Sequence, residues 1–309
     1  MGAFGRGPGI LSAQEWYDAY ALERKLGLDI AREFLAYRQF VLDELDQDLA
    51  SLQRPHGLMR TDGFVAAHDP RSMLSLRNQH EALNRHGALR SWHESAPDPY
   101  LSAARLISRH ADDRVCEPDA LCRALALAVN DLGGATGAGE EAGVEAVTIT
   151  FPASLDALRV WETLAETEPD VEPRACAWYR NAYPMHDFGR RREDGSWVVG
   201  SRKSWSMDPE SSTHPRDHEL LADARLSPRR IWQRSFALFE EPALPFIRRE
   251  ERRIEVLGTD QEDSIMDLIA VDLALREILG QPCVFTQALE ALPKAPSRGG
   301  ILSRMALQS

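Results

Sequence analysis

The sequence predicts a mainly α-helical protein with a small β element near its middle. Three observations carry that expectation. Helix starts are marked repeatedly, by capping pairs or by an acceptor followed by proline. Residues 29–52 repeat apolar side chains with a helical period, and strand signals are confined to three short runs. With 309 residues, 43% of them hydrophobic, the chain is long enough for a full core.

In chain order, Ser12 and Glu15 form a capping-box pair before Trp16, Tyr20 and Leu22, and Gly27 ends that helix. Asp29 opens the longest helix, along which Ile30, Phe34, Tyr37, Val41, Leu45, Leu49 and Leu52 recur on one face. Proline suits the first helical position because its missing N–H would be unpaired there. Asp69-Pro70, Asp98-Pro99, Glu117-Pro118, His214-Pro215 and Ser227-Pro228 therefore mark five further starts, and residues 101–113 read as helical. Thr259 and Glu262 cap a late helix carrying Ile265, Leu268, Ile269, Leu275 and Ile278 before Gly280 and Pro282. The strand candidates are Val144–Thr150, Ala175–Ala182 and Trp197–Val199, the last as one arm of a hairpin around Asp194-Gly195. Gly133–Gly143 reads as a flexible surface loop within a single domain spanning 1–309.

Composition narrows the function. A formal net charge of -12 argues against a nucleic-acid partner, which needs a basic footprint. No apolar run approaches a membrane span, and the first ten residues lack a signal peptide's apolar stretch. Arg6 stands where a myristoylation signal needs Ser or Thr. The four cysteines, Cys116, Cys122, Cys176 and Cys283, form no CxxC pair and read as reduced thiols, which points to the cytoplasm.

Coordination chemistry concentrates at His214-Pro215-Arg216-Asp217-His218-Glu219. Side chains four apart share a helix face, so both imidazoles can reach one metal, and Asp217 or Glu219 can orient a ligating ring. The positive end of the helix dipole favours the neutral ring that a metal requires. The plain alternative is a solvated polar cap. A zinc or iron(II) enzyme built on this pair is a second reading, although proline inside the motif and the lack of an evident third ligand count against zinc hydrolysis.

Haem suits the surroundings better, since it asks for an axial histidine, an apolar and aromatic pocket, and cations for its propionates. The helix expected after Ser227 places Trp232, Phe236 and Phe239 on one face with Arg229, Arg230 and Arg234 nearby. Arg190, Arg191, Arg192, Arg202 and Lys203 lie upstream. Three other patterns carry less. His110-Ala111-Asp112 with His186 and Arg202 follows the order of a facial-triad iron site, but His110 falls in a stretch read as helical. Gly133–Gly139 is similar to a phosphate loop but leaves no room for the helix that would hold phosphate, and Asp187-Phe188-Gly189 stands without the other kinase segments.

The segment FLAYRQFVLDELDQDL, residues 34–49, resembles the early haem-pocket helix of tryptophan 2,3-dioxygenase-type proteins, with their F-x-x-H-Q-x-x-E-L pattern. His214–His218 resembles the haem-binding segment of the bacterial histidine-ligated haem-dependent aromatic (tyrosine) hydroxylases of that superfamily. Tyr37-Arg38 stands where the dioxygenases carry His-Gln, which argues against tryptophan dioxygenation. The resemblance implies a helical bundle of the tryptophan 2,3-dioxygenase-like type holding haem b, with His214 on the iron and His218 in place of a haem-linking cysteine. It implies ring hydroxylation of an aromatic amino acid such as tyrosine, using O2 or H2O2. His93, His86 or His186 would serve as the distal acid or base, and Arg202 or Arg230 would hold a propionate or the substrate carboxylate. A homodimer is compatible with this reading, and a non-catalytic acidic helical interaction protein holding neither metal nor haem is the competing alternative.

Overall fold

The fold is mixed, and sheet dominates the described residues of its second half. The computed structural model describes residues 8–14, 19–52, 54–88, 90–93, 103–134, 148–150, 158–167, 169, 178–181, 188–206, 228–238, 246–250, 253–257 and 264–291. In chain order the elements are β1 (Ile10–Leu11), α1 (Ala19–Leu26), α2 (Leu28–Ser51), β2 (Met59–Ala67), α3 (Pro70–Arg85), β3 (Arg90–His93), β4 (Leu106–Val115) and α4 (Pro118–Asp131). There follow β5 (Thr148–Thr150), β6 (Leu158–Thr167), β7 (Trp178–Asn181), β8 (Phe188–Arg191), β9 (Trp197–Ser206), β10 (Pro228–Leu238), β11 (Phe246–Glu250), β12 (Arg253–Leu257), α5 (Ser264–Leu279) and α6 (Thr286–Ala291).

Nine strands form one large sheet in the order β1-β4-β2-β7-β8-β9-β6-β10, with β3 paired to β4. Its neighbours run antiparallel except β2 with β7. A second sheet holds β11, β12 and β5, the last two parallel. The expectation of a mainly helical bundle with a small β element is thus corrected. The helix expected from Ser227 is the strand β10, with Trp232 opposite Leu164 of β6 and Arg230 opposite Glu166. The helix expected over residues 101–113 gives way to β4.

Several local signals hold. Asp69 accepts from the backbone N–H groups of Arg71 and Ser72 while the Ser72 side chain answers the Asp69 N–H, and Pro70 takes the first helical position. Gly27 has φ 86 and separates α1 from α2. The Asp194-Gly195 turn joins β8 to β9, with Asp194 accepting from the Ser196 N–H and hydroxyl. The Asp98-Pro99, His214-Pro215 and Thr259–Glu262 starts lie outside the described residues, as does most of Gly133–Gly143.

Helix α2 is the axis of the helical layer. Phe34, Tyr37, Val41, Leu42, Leu45 and Leu49 bury against Ile265, Met266 and Ile269 of α5 and Ala288 of α6, with Leu11 and Leu121 closing the cluster. Tyr37 stacks on Phe285 with centroids 4.6 Å apart and donates its hydroxyl to Asp272 Oδ2 at 2.7 Å. Arg38, wholly buried, donates Nε to the Ala13 carbonyl at 2.8 Å and so ties α2 to the segment after β1. Tyr37 and Arg38 are therefore helix-packing and backbone-tethering residues.

One face of the large sheet packs on α3. Val65, Ala67, Val115, Leu164, Trp178, Phe188 and Val198 form one buried cluster there with Leu76. Two glycines let rings lie across that face: a Cβ at Gly63 would meet the Trp178 indole, and one at Gly200 the Phe188 ring. The buried residues of the other face, Phe64, Ala66, Ile107, Trp197 and Val199, form a separate cluster.

Candidate functional site

A buried polar network lies between α3 and the β3–β4 part of the sheet. It begins with a bulge. Thr61 pairs with Asp113 and Gly63 with His110, so Ala111 and Asp112 together oppose Asp62 alone. Asp112 takes the left-handed conformation, φ 71, which aspartate tolerates better than most residues. In a regular strand, residues three apart face opposite ways. The extra residue brings His110 and Asp113 to the same side, with Nδ1 and Oδ2 3.3 Å apart and both side chains buried.

Arg90 is the hub. It pairs across the sheet with His110, and Asn84 on the last turn of α3 clamps its backbone, accepting from the Arg90 N–H at 3.1 Å. Its guanidinium donates Nε to Gln14 Oε1 at 3.1 Å and Nη1 to Ser108 Oγ at 3.4 Å, and Nη2 meets His110 Nδ1 at 3.0 Å. Arginine can only donate, so His110 presents its Nδ1 lone pair there and carries its proton on Nε2. His80 of α3 completes the network through Ser108 Oγ, 2.8 Å from its Nδ1, and stacks on Trp92 with centroids 3.7 Å apart. Burial, with Arg90 and His110 beside it, pulls the His80 pKa down to about 4, so the ring is neutral near pH 7. The network ties α3, β3, β4 and the β1–α1 segment together. Its core of Arg90, His80, Ser108, His110 and Asp113 is sealed from solvent, which suits holding the sheet's geometry better than receiving a substrate.

The residues singled out from sequence scatter. His214, His218 and His186 lie outside the described residues, so the histidine pair and its neighbours Asp217 and Glu219 do as well. Arg202 falls on β9, and Arg230 and Trp232 fall on β10, two strands that flank β6. His93 ends β3 and meets the Phe64 ring edge-on, on the sheet face opposite α3. His86 caps the C-terminus of α3, its ring buried, with Nε2 3.0 Å from Glu23 Oε1. His93 and His86 thus belong to different surroundings. His110 is on a strand after all, but its Nδ1 accepts from Arg90, while Asp112 is held outside by Arg60 and Arg114. Among the described residues no three His, Cys, Asp or Glu side chains gather as a metal site. No helix among them is long and apolar enough to cross a membrane.

Arg90, His80, Ser108 and Asp113 escaped the sequence reading. The signal for His80 and Leu76 was a helix already predicted from Asp69-Pro70. The signal for His110 with Asp113 was hidden by the bulge, whose three-residue spacing imitates a helical period.

No protein-family profile matches the chain, and no curated protein matches it in sequence. Solved structures do match in fold. Glycine oxidase from Geobacillus kaustophilus superposes with a TM-score of 0.70 at 15% identity, over 96% of this chain and 90% of that one. Iminodiacetate oxidase from Chelativorans sp. BNC1 gives 0.69 at 11% identity, over 96% and 90%. L-alpha-glycerophosphate oxidase from Mycoplasma pneumoniae, described with FAD bound, gives 0.66 at 10% identity, over 96% and 87%. The chain therefore has the fold of these oxidases. That finding overturns the tryptophan 2,3-dioxygenase-like bundle, and with it the haem b cofactor and the aromatic mono-oxygenase activity inferred from it. The two segments behind that resemblance are short. The one on α2 is a core-packing helix whose aromatic and basic residues face other protein groups.

Proposed function

We propose that the protein is an oxidoreductase acting on a small acid that carries an amine or hydroxyl group. The observation that carries this is the extent of the fold likeness, 96% of the chain following the glycine oxidase backbone at a TM-score of 0.70. The substrates in the neighbours' names, glycine, iminodiacetate and glycerophosphate, share an anionic group close to a carbon bearing nitrogen or oxygen. Oxidation at such a carbon removes two electrons and needs a carrier, and dioxygen is the final acceptor that the word oxidase implies.

FAD is the carrier that the fold suggests, and the chain's fit to it is incomplete. A dinucleotide's pyrophosphate is commonly held where a strand turns through G-x-G-x-x-G into a helix, because those glycines allow the backbone to approach it. The strict three-glycine pattern does not occur, and the one run with alanine in its last place, Gly137–Ala142, lies outside the described residues. The described residues offer no cradle of that kind, so the proposal extends to substrate class and reaction type and not to a residue-level step through a flavin. The same feature favours a second reading, in which the fold serves as a binding unit without a redox carrier.

One experiment separates the two. The 309-residue protein is incubated with FAD, freed of excess, and examined for flavin absorbance and for peroxide release with glycine, iminodiacetate and glycerophosphate. Retained flavin with peroxide formation that depends on one of these acids supports the oxidoreductase. A folded protein that retains no flavin and releases no peroxide overturns it in favour of the binding unit.

A further inference from the structure

Strand β10 closes one end of the large sheet, and among the described residues nothing pairs with its outer edge. The two ends of the sheet are finished differently. At the other end stand β1, of two residues, and β3, of four, both paired to β4. A short edge strand offers few free N–H and C=O groups to another chain. Strand β10 runs for 11 residues, Pro228–Leu238, about twice an ordinary strand. Its pairing with β6 is unbroken from Arg230 to Leu238.

The devices that usually blunt an edge are missing from β10 or are used elsewhere. Its proline and its register irregularity both fall at the start, between Pro228 and Arg230. It has no lysine and no acidic residue. Its charges are Arg229, Arg230 and Arg234. The register sets Glu166 of β6 opposite Arg230 and Glu162 opposite Arg234, so acidic positions of its own sheet offset two of the three. What is left is a long row of backbone donors and acceptors that another strand can satisfy.

We infer that this edge pairs with the same edge of a second copy of the chain, antiparallel and about a two-fold axis at Gln233, joining the two large sheets into one. Gln233 is the middle of Pro228–Leu238, so this register overlaps the strand along its whole length. It sets Arg229 opposite Ala237, Arg230 opposite Phe236 and Arg234 opposite Trp232, and no arginine faces an arginine. A one-residue slip would turn every side chain to the other face, so the nearest alternatives are slips of two. Those set Arg230 opposite Arg234, or Arg234 opposite itself, and like charges directly opposite are destabilising. A strand that complements itself in its longest register suits an isologous contact, in which both copies offer the same surface. The inference stands apart from the proposed oxidoreductase, since it concerns how the sheet ends and needs no redox carrier.

Sedimentation equilibrium of the whole chain, with Gln233→Lys and Gln233→Glu as variants, tests it. Either substitution sets like charges opposite each other at the axis, while Thr163, the partner of residue 233 on β6, is uncharged. A wild-type dimer is expected, its dissociation constant raised about fivefold or more in each variant alone. An equimolar mixture of the two variants should regain the wild-type strength, because lysine then faces glutamate, and that recovery also shows both variants to be folded. Gln233→Cys should join two chains by a disulfide under oxidised glutathione, whereas Arg229→Cys, opposite Ala237, should not. A wild type that is monomeric throughout overturns the inference and leaves the edge to another segment of this chain or to another protein. A dimer that neither substitution weakens, or that mixing does not restore, overturns it too, as does equal cross-linking from the two cysteine positions.

Discussion

Gly63 lies against the Trp178 indole so closely that a Cβ added at residue 63 would sit 2.1 Å from ring atoms Cε2 and Cζ2. The two residues are parallel-strand partners in the middle of the large sheet, and the indole is 1% exposed with His110 edge-on to it. A methyl group there has to displace a packed ring. Gly63→Ala is expected to cost about 1–3 kcal/mol, the usual range for overpacking a core. Urea denaturation followed by tryptophan fluorescence measures it. A midpoint equal to that of wild type would mean the indole moves freely. Gly200→Ala should behave alike, because its Cβ would meet Phe188 at 2.2 Å.

Arg90 is expected to matter more than any surface arginine. It is 7% exposed, and three side chains receive its N–H groups. Arg90→Met fills similar volume but leaves the Asp113 carboxylate buried without the cation nearby. Leaving a buried acceptor such as His110 Nδ1 without its donor costs about 1–3 kcal/mol. The double variant Arg90→Met with Asp113→Asn should recover part of that loss, because the stranded charge is gone. A double-mutant cycle in denaturant reads the coupling directly. Additive effects would show that the two charges do not sense each other through His110.

These two contacts also show where the sequence was legible and where it was not. Capping chemistry is local, so Asp69-Pro70, Glu117-Pro118, Gly27 and the Asp194-Gly195 hairpin could all be read from neighbours in the chain. Proline after an acceptor also suits the first residue of an edge strand, which is why Ser227-Pro228 begins β10 rather than a helix. Trp232 and Phe236 are four apart, and that spacing puts side chains on one face in a helix and in a strand alike. The β4 bulge replaced alternation with a three-residue spacing and so disguised a strand. The Arg90 network joins residues 14, 80, 90, 108, 110 and 113 across four elements, and no local pattern announces such a meeting.

Tyr37 should behave as a structural phenol. Burial first, and then the bond to Asp272, raise its pKa beyond the ordinary tyrosine range. Of the six tyrosines, this one is expected to stay protonated in an alkaline absorbance titration until the protein unfolds. Tyr37→Phe keeps the stacking on Phe285 and leaves Asp272 bonded to Arg276 Nε at 2.7 Å. The cost should therefore be about 1 kcal/mol, that of one hydrogen bond whose acceptor keeps another partner. Loss of several times that amount would show that Asp272 depends on the phenol for its position.

His80 gives the fold a defined response to acid. In the unfolded chain its pKa is that of an ordinary histidine, 6.5, and in the fold it falls to about 4. Between those values the unfolded state holds a proton that the folded state lacks, so stability rises with pH there. The contribution is complete above the unfolded pKa, shrinks as pH falls from 6.5 toward about 4, and flattens below. Its full size is on the order of 3 kcal/mol. His86 acts in the same direction, since burial outweighs the pull of Glu23 and lowers its pKa too. Denaturation midpoints measured across this window should drop steadily with acid in the wild type. His80→Gln, which can still bond Ser108 and cannot be protonated, should be less stable near neutral pH yet show a shallower slope. An unchanged slope in that variant would assign the acid response to other groups and remove His80 from the account.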